Sequence, residues 1–256
     1  MAFLFNPLHY ALHHAVRWDF ATSFEFARKD NYVPIARSEV RSLAQQAPIL
    51  VVISGKYVVP AVPLNPQHTR HPLLDEAFRW RRGTAPTALR YHPFRTIADS
   101  NTGAPMLAVA EDRETVRADA TNGFFDELAR PLPVVRAVLR RLQQLHLEKA
   151  QIQAAAVALA EADLLVAVPN LVDSMGRAPF HTLNDAAFAR LPAARLSTLG
   201  RSPRHAFMLA AAMAHSRQWL APHVPVVDLP APEAVTQRPA AGSFVMQDED
   251  FVLNFD

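Results

Sequence analysis

The chain has 256 residues, half of them hydrophobic, a formal net charge of +2 and no cysteine. That length holds one large domain or two small ones, and the lack of cysteine excludes disulfides, zinc–thiolate sites and cysteine nucleophiles. Only seven glycines stand beside 21 prolines, so no glycine-rich phosphate loop is available and proline sets the limits of the elements.

Taken in chain order, residues 1–30 predict a short helix that gives way to extended chain near Phe20, Phe24 and Phe26. Residues 36–46 predict a helix that ends before Pro48. Residues 49–54 and 57–62 are β-branched runs separated by Gly55-Lys56, a hairpin signal. Pro60 and Pro63 predict that the returning strand is short or lies at an edge. Residues 63–75 read as a proline-rich loop, residues 87–91 as a strand ending at His92-Pro93, and residues 106–111 as another strand.

From Pro131 the pattern changes. Val134, Val135, Val138, Leu139, Leu142 and Leu145 follow the spacing of an amphipathic helix that opens near Pro133 and runs, with breaks, to about Leu165. His181-Thr-Leu-Asn184-Asp185 offers cap chemistry for a helix over 186–191, and a last helix is predicted over 203–220. Residues 222–240 are a proline-rich linker, followed by an acidic-aromatic end. No internal repeat is evident.

Charge is divided unevenly. Residues 1–224 hold 25 Lys and Arg against 18 Asp and Glu, whereas residues 225–256 hold one Arg against six acids. A basic body with an acidic tail suggests intramolecular or partner contacts. No basic stripe interleaves with aromatics, so nucleic acid is not the expected partner. The start lacks a basic n-region and the apolar run over 206–214 is too short for a bilayer, so no standard export signal and no membrane span are expected, which suits a cytoplasmic protein.

Histidines and arginines carry the candidate chemistry. His9 with His13 and His14, and His68 with His71, have spacings a metal could use, but the first group has no Glu at His-Glu-x-x-His spacing and no nearby acid except Asp19, the second has no evident third ligand, and a plain amphipathic or loop setting accounts for them. Trp80, Arg81 and Arg82, and Arg90, Tyr91 and His92, are the most concentrated polar-aromatic clusters. Their arginines suit an anionic group between aromatic walls, although a strand would put Arg90 and Tyr91 on opposite faces, and arginines paired to acids are the plainer account. Glu111-Asp112-Arg113-Glu114 and Asp126-Glu127 read as solvated turns. Met208, Ala212, His215 and Trp219 recur at helical spacing as a buried stripe. No Gly-x-Ser-x-Gly elbow or other catalytic motif occurs.

An ordered series of stations resembles the SapC-like family of bacterial proteins. It comprises Asn31-Tyr-Val-Pro-Ile35 with Glu39; Ala47-Pro48-Ile49; Trp80; Arg90-Tyr-His-Pro-Phe94; residues 107–111; Phe124-Phe-Asp126; Ala162-Asp-Leu-Leu165; Thr182-Leu-Asn-Asp185; and a final helix ending near Ser216. The resemblance covers roughly residues 20–220 and rests on order and spacing. It implies a surface-layer or uptake context and no particular reaction. The tail has no counterpart in it.

These readings predict one α+β domain over residues 1–222, with a mainly antiparallel sheet from the N-terminal half covered by a C-terminal helical layer. A linker and tail occupy 223–256. The expected function is that of a non-catalytic accessory protein without a cofactor, binding a protein or peptide partner through Trp80, Arg81, Arg90, Tyr91, His92, Phe251 and Phe255. The alternatives are a metal-dependent enzyme, with iron or zinc on His9, His13, His68 and His71, and an anion sensor built on Arg90. Phe251, Leu253 and Phe255 alternate beside Asp248, Glu249 and Asp250, so the tail suits docking within one chain or between two.

Overall fold

The computed structural model describes residues 4–98, 105–168, 171, 180–201 and 205–222. The first half of the chain is dominated by extended segments. In order the elements are β1 (Phe5–Pro7), the one-turn α1 (Tyr10–His13), β2 (Arg17–Trp18), β3 (Tyr32–Pro34), α2 (Val40–Ala44), β4 (Leu50–Ser54) and β5 (Tyr57–Pro63). Then come α3 (Thr87–Arg90), β6 (Phe94–Ala98), β7 (Pro105–Ala110), β8 (Val116–Arg117) and β9 (Asn122–Gly123). The second half holds α4 (Pro133–Glu161), β10 (Leu165–Ala167), β11 (Phe180–Leu183), α5 (Asp185–Ala189), α6 (Ala193–Arg201) and α7 (Ala206–Ser216).

The expected hairpin is present. β4 and β5 pair antiparallel from Leu50 opposite Ala61 to Ser54 opposite Tyr57, and Gly55 stands at φ +57° at the first position of the two-residue turn. Positive φ there is what a primed turn requires and what glycine adopts without strain. β5 is neither short nor an edge: it runs seven residues inside a five-stranded antiparallel sheet ordered β10-β11-β4-β5-β3. Its prolines fit because of register. Pro60 faces the end of β3, where its carbonyl still accepts the Ile35 amide at 3.1 Å, and Pro63 lies beyond the first residue of β4. The missing N–H groups therefore fall at ladder ends. The C-terminal half adds two strands that periodicity does not reveal, since β10 and β11 have three and four residues.

Alternation splits the hairpin between two cores. Ile49, Val51, Val58 and Val62 face a core that also takes Val40 and Leu43 of α2, Ile152 and Leu159 of α4, and Leu209 and Met213 of α7. Leu50, Val52 and Ala61 face the opposite side, with Phe180, Leu171, Leu220 and Ala221. A second sheet, ordered β1-β7-β6, and the small β8-β2-β9 sheet enclose another core of Trp18, Phe94, Leu107, Val109 and Phe124. α4 joins the two regions. Val135, Val138, Leu142 and Leu145 enter the Trp18 core, and Ile152, Ala155, Ala156 and Leu159 enter the main one. The helix is unbroken over 29 residues, about 43 Å long at 1.5 Å per residue. It ends in a Schellman closure: the Leu164 amide reaches the Leu159 carbonyl at 3.0 Å and Asp163 takes the left-handed position at φ 57°, where glycine is usual. The arrangement is α+β, with antiparallel sheets mainly in the first half and helices in the second.

Residues 87–91 are not a strand. Thr87–Arg90 is a helical turn, and the strand begins after Pro93. The Thr87 amide and hydroxyl both donate to Glu39, whose carboxylate also accepts the Ala36 amide at 2.8 Å. That tertiary anchor holds the turn against its local preference for extended chain. A loop motif also recurs. Asp75 accepts the amides of Ala77 and Arg79 and the Arg79 Nε, and Asp126 does the same for Leu128 and Arg130. Each loop places its fourth residue, Phe78 or Ala129, at positive φ and closes a bridge, Leu74 to Trp80 or Phe125 to Pro131. Amide hydrogen bonds hold both carboxyls below the usual range. Asp-Glu-x-x-Arg is thus a repeated turn, invisible to a search for whole repeats.

Candidate functional site

Reversal of the chain at Asp75 sets Trp80 opposite Leu74, and the Arg81 amide donates to the Leu73 carbonyl at 2.9 Å. Trp80 rests partly on the main core, and its indole N–H donates to Gln46 Oε1 at 3.1 Å. Gln46 in turn donates to the Thr84 carbonyl at 3.2 Å. Gly83, at φ +60°, lies against the same amide, and a Cβ there would come within 2.6 Å of Gln46 Oε1. A second indole arrives from the far end of the chain. Trp219 ends a single 3₁₀ turn after α7, and its N–H donates to the Ala44 carbonyl at 3.1 Å. Its own carbonyl accepts the Arg70 amide at 2.7 Å, and Thr69 bridges Leu220.

These contacts frame a cleft of about 320 Å³ between the end of α2, the 71–73 stretch of loop, the 80–82 segment and the turn after α7. Trp80 and Trp219 line it with Gln46 and Leu73, and His71, Arg81 and Arg82 add polar groups. The volume lies at the small end of ligand sites. Both arginines are exposed, and among the described residues no carboxylate lies within 4.0 Å of either guanidinium. The lining contains no carboxylate. Fixed indoles and cations without acidic partners suit the binding of a flat apolar group that carries negative charge.

The structure divides the predicted site residues. Trp80 and Arg81 line the cleft; Arg90, Tyr91 and His92 do not. Because residues 87–90 are helical, the opposite-face argument for Arg90 and Tyr91 no longer applies. Arg90 donates to the Ala85 carbonyl at 2.8 Å and to Thr87 Oγ1 at 3.1 Å, and Tyr91 meets Phe20 edge-on at 5.5 Å. Phe251 and Phe255, with the rest of the tail and the linker beyond Pro222, lie outside the described residues. Composition made Trp80 and Arg81 visible, but nothing local marked Gln46 or Trp219 as their neighbours. The Met208, Ala212, His215 and Trp219 stripe is only partly buried, with His215 exposed beside Gln218.

His92 belongs to a buried pair. Its Nε2 lies 2.8 Å from Asp112 Oδ2, its ring stacks on Phe26 at 4.0 Å, and Asp112 also accepts the Glu114 amide and the Thr115 hydroxyl, each at 2.9 Å. Residues 111–114 are therefore not simply a solvated turn. Burial alone would raise the Asp112 carboxyl, yet the bonds from His92, Glu114 and Thr115 hold it below the usual range. The hydroxyl bonds to the acid and not to the imidazole, which is the wrong order for a hydroxyl–imidazole–carboxylate relay. Asp112→Ala is expected to cost about 1–3 kcal/mol by stranding these donors. A depressed folded-state value gives stability that is present above the ordinary carboxylate value near 4 and is lost as pH falls below it. Urea melts between pH 2 and 5 should show a shallower acid dependence in Asp112→Ala; an unchanged slope would mean the carboxylate is not held by the fold.

The other histidines diverge. His13 lies against Phe124 with Nδ1 2.9 Å from the His9 carbonyl, and His14 stacks on Tyr10 at 5.1 Å. His68 meets Phe180 at 5.6 Å, whereas His71 lines the cleft. Among the described residues no three His, Asp or Glu side chains gather in metal-binding positions, and no helix is long and apolar enough to cross a membrane.

A family model, SapC, matches residues 8–221. No curated protein and no solved structure matches the chain. The match takes in the whole five-stranded sheet, α4 and both walls of the cleft, and the chain belongs to the SapC family.

Proposed function

We propose that the chain is a non-catalytic accessory protein whose cleft takes an acidic segment with apolar or aromatic side chains from a protein partner. The carrying observation is the pairing of two hydrogen-bonded indoles with Arg81 and Arg82, neither matched by a described carboxylate. An indole face offers apolar contact and a planar guanidinium takes a carboxylate bidentately, so the cleft favours such a segment over a neutral one. The family resemblance adds the setting, a surface-layer or uptake system approached from the cytoplasmic side. The metal-dependent alternative would need the N-terminal histidines on one centre, and their rings point to different surroundings.

Intrinsic fluorescence tests the reading directly. Trp18 is 0% exposed, so a ligand in the cleft alters Trp80 and Trp219. A short peptide of Asp, Glu and Phe should give a saturable change, and the same peptide with Asn and Gln in place of the acids should give about tenfold weaker binding. The Arg81→Ala, Arg82→Ala double variant should lose a similar factor, near 1.4 kcal/mol. Equal affinity for acidic and neutral peptides, or no saturable change, would sink the proposal.

A further inference from the structure

The chain leaves the described structure at Pro222, just beyond the Trp219 wall of the cleft. Its point of departure is fixed: Leu220 and Ala221 are each 5% exposed, and the Ala221 amide donates to the His68 carbonyl at 3.2 Å. The C-terminal end of the chain has the composition assigned to the cleft's ligand. Residues 243–256 carry Phe244, Phe251 and Phe255 around Asp248, Glu249 and Asp250, and only one Arg lies after residue 224. Resting on the reading of the cleft as a seat for acidic segments, we propose that this C-terminal segment is the cleft's resident occupant, held in cis, and that an outside partner must displace it.

Charge, reach and concentration each favour this assignment. The tail is acid-rich, with six acids against one Arg after residue 224, and Arg81 and Arg82 lack described carboxylate partners. A linker of about twenty residues, the length of 223–242, spans roughly 25 Å even as a random coil, and it starts beside the cleft. A short tether presents its end at about millimolar effective concentration, far above a second copy of the chain at micromolar levels, so an intramolecular seat outcompetes exchange between two molecules. A tail with an intrinsic dissociation constant of about 0.1 mM then weakens an outside ligand about tenfold, because that ligand competes with a tethered one at about 1 mM.

The test uses full-length protein and a fluorescein-labelled peptide of residues 243–256. The peptide is titrated into the unaltered chain and into a tail variant carrying Asp248→Asn, Glu249→Gln, Asp250→Asn, Phe251→Ser and Phe255→Ser. Cis occupancy predicts about tenfold tighter peptide binding by the tail variant, and loss of that gain on adding Arg81→Ala and Arg82→Ala. Equal affinity for the two chains, or binding indifferent to the arginines, overturns it. The unrelated Asp/Glu/Phe peptide is run in parallel. If it binds through Arg81 and Arg82 while the 243–256 peptide does not, this inference fails and the cleft reading stands; if neither peptide binds either chain, both fail. Light scattering supplies the last arm, because a dimer in the unaltered chain that is absent from the tail variant would place the tail in a neighbouring molecule and overturn the cis assignment.

Discussion

Leu142→Ala is expected to lower the unfolding free energy by about 2–5 kcal/mol, the range for a cavity opened in a packed core. Leu142 is 5% exposed and sits on the face of α4 that meets Trp18, Phe94 and Phe124. Those neighbours are large rings already packed against one another, with Trp18 4.6 Å from Phe94 and Phe94 6.0 Å from Phe124, both edge-to-face, so they have little freedom to close the space. Leu147, on the same helix but 58% exposed, supplies the control, and Leu147→Ala should change stability by less than about 0.5 kcal/mol. Urea denaturation at unchanged m-value measures both. A Leu142→Ala cost below about 0.5 kcal/mol would mean that this face of α4 is a docking surface and not the roof of a core.

What the sequence disclosed depended on how local the cause was. The hairpin rests on two β-branched runs and one glycine, and α4 on a spacing that repeats over several turns, so both could be read directly. The turn at Thr87 could not: it is held by Glu39, 48 positions away, and four helical residues are too few to show a period. The interior place of β5 was hidden for a related reason. Proline counts against a central strand only where its missing N–H would face a partner, and register decides that. The cleft was half legible. Trp80 and Arg81 stood out by composition, whereas Gln46 and Trp219 reach it from distant segments through the packing of α2 and the turn after α7. Asp112 was misread because its partner, His92, lies 20 positions earlier across β6 and β7.

The two main cores meet at a polar belt on α4. Glu148 is 4% exposed, accepts the Ser38 hydroxyl, the Gln144 Nε2 at 3.0 Å and the Ser38 amide at 3.3 Å, and has Arg141 3.9 Å away. Burial would raise its carboxyl, but these hydrogen bonds and Arg141 hold it below the usual range. Ser38 and Glu39 are adjacent, so one short turn before α2 supplies the partners on both sides of the helix junction. The belt breaks the apolar stripe of α4 between Leu145 and Ile152 and fixes which residues enter which core, since a slip along the helix would bury a carboxylate without its donors.

Glu39 is the most heavily used member of this belt, and Glu39→Ala is expected to cost about 3–5 kcal/mol, as when one partner of a buried charged network is removed. The substitution strands the Ala36 amide and the Thr87 amide and hydroxyl, and it takes a negative charge from the neighbourhood of Lys149. Desolvation pulls the Lys149 amine below the ordinary lysine range, and Glu39 opposes that pull. A base with a lowered folded-state value binds fewer protons folded than unfolded, so its contribution to stability rises with pH up to the ordinary lysine value near 10.4. Removing Glu39 lowers the amine further and should steepen that rise. Lys149→Met keeps the stem and removes the charge; it should cost less than about 1 kcal/mol or stabilise, and it should flatten the pH dependence. Urea unfolding of the parent, Glu39→Ala, Lys149→Met and the double variant between pH 7 and 10 separates these contributions. If Glu39→Ala costs under about 1 kcal/mol, or if its alkaline slope matches that of the parent, the carboxylate is solvated and the join between α2, α3 and α4 is held by apolar contact alone.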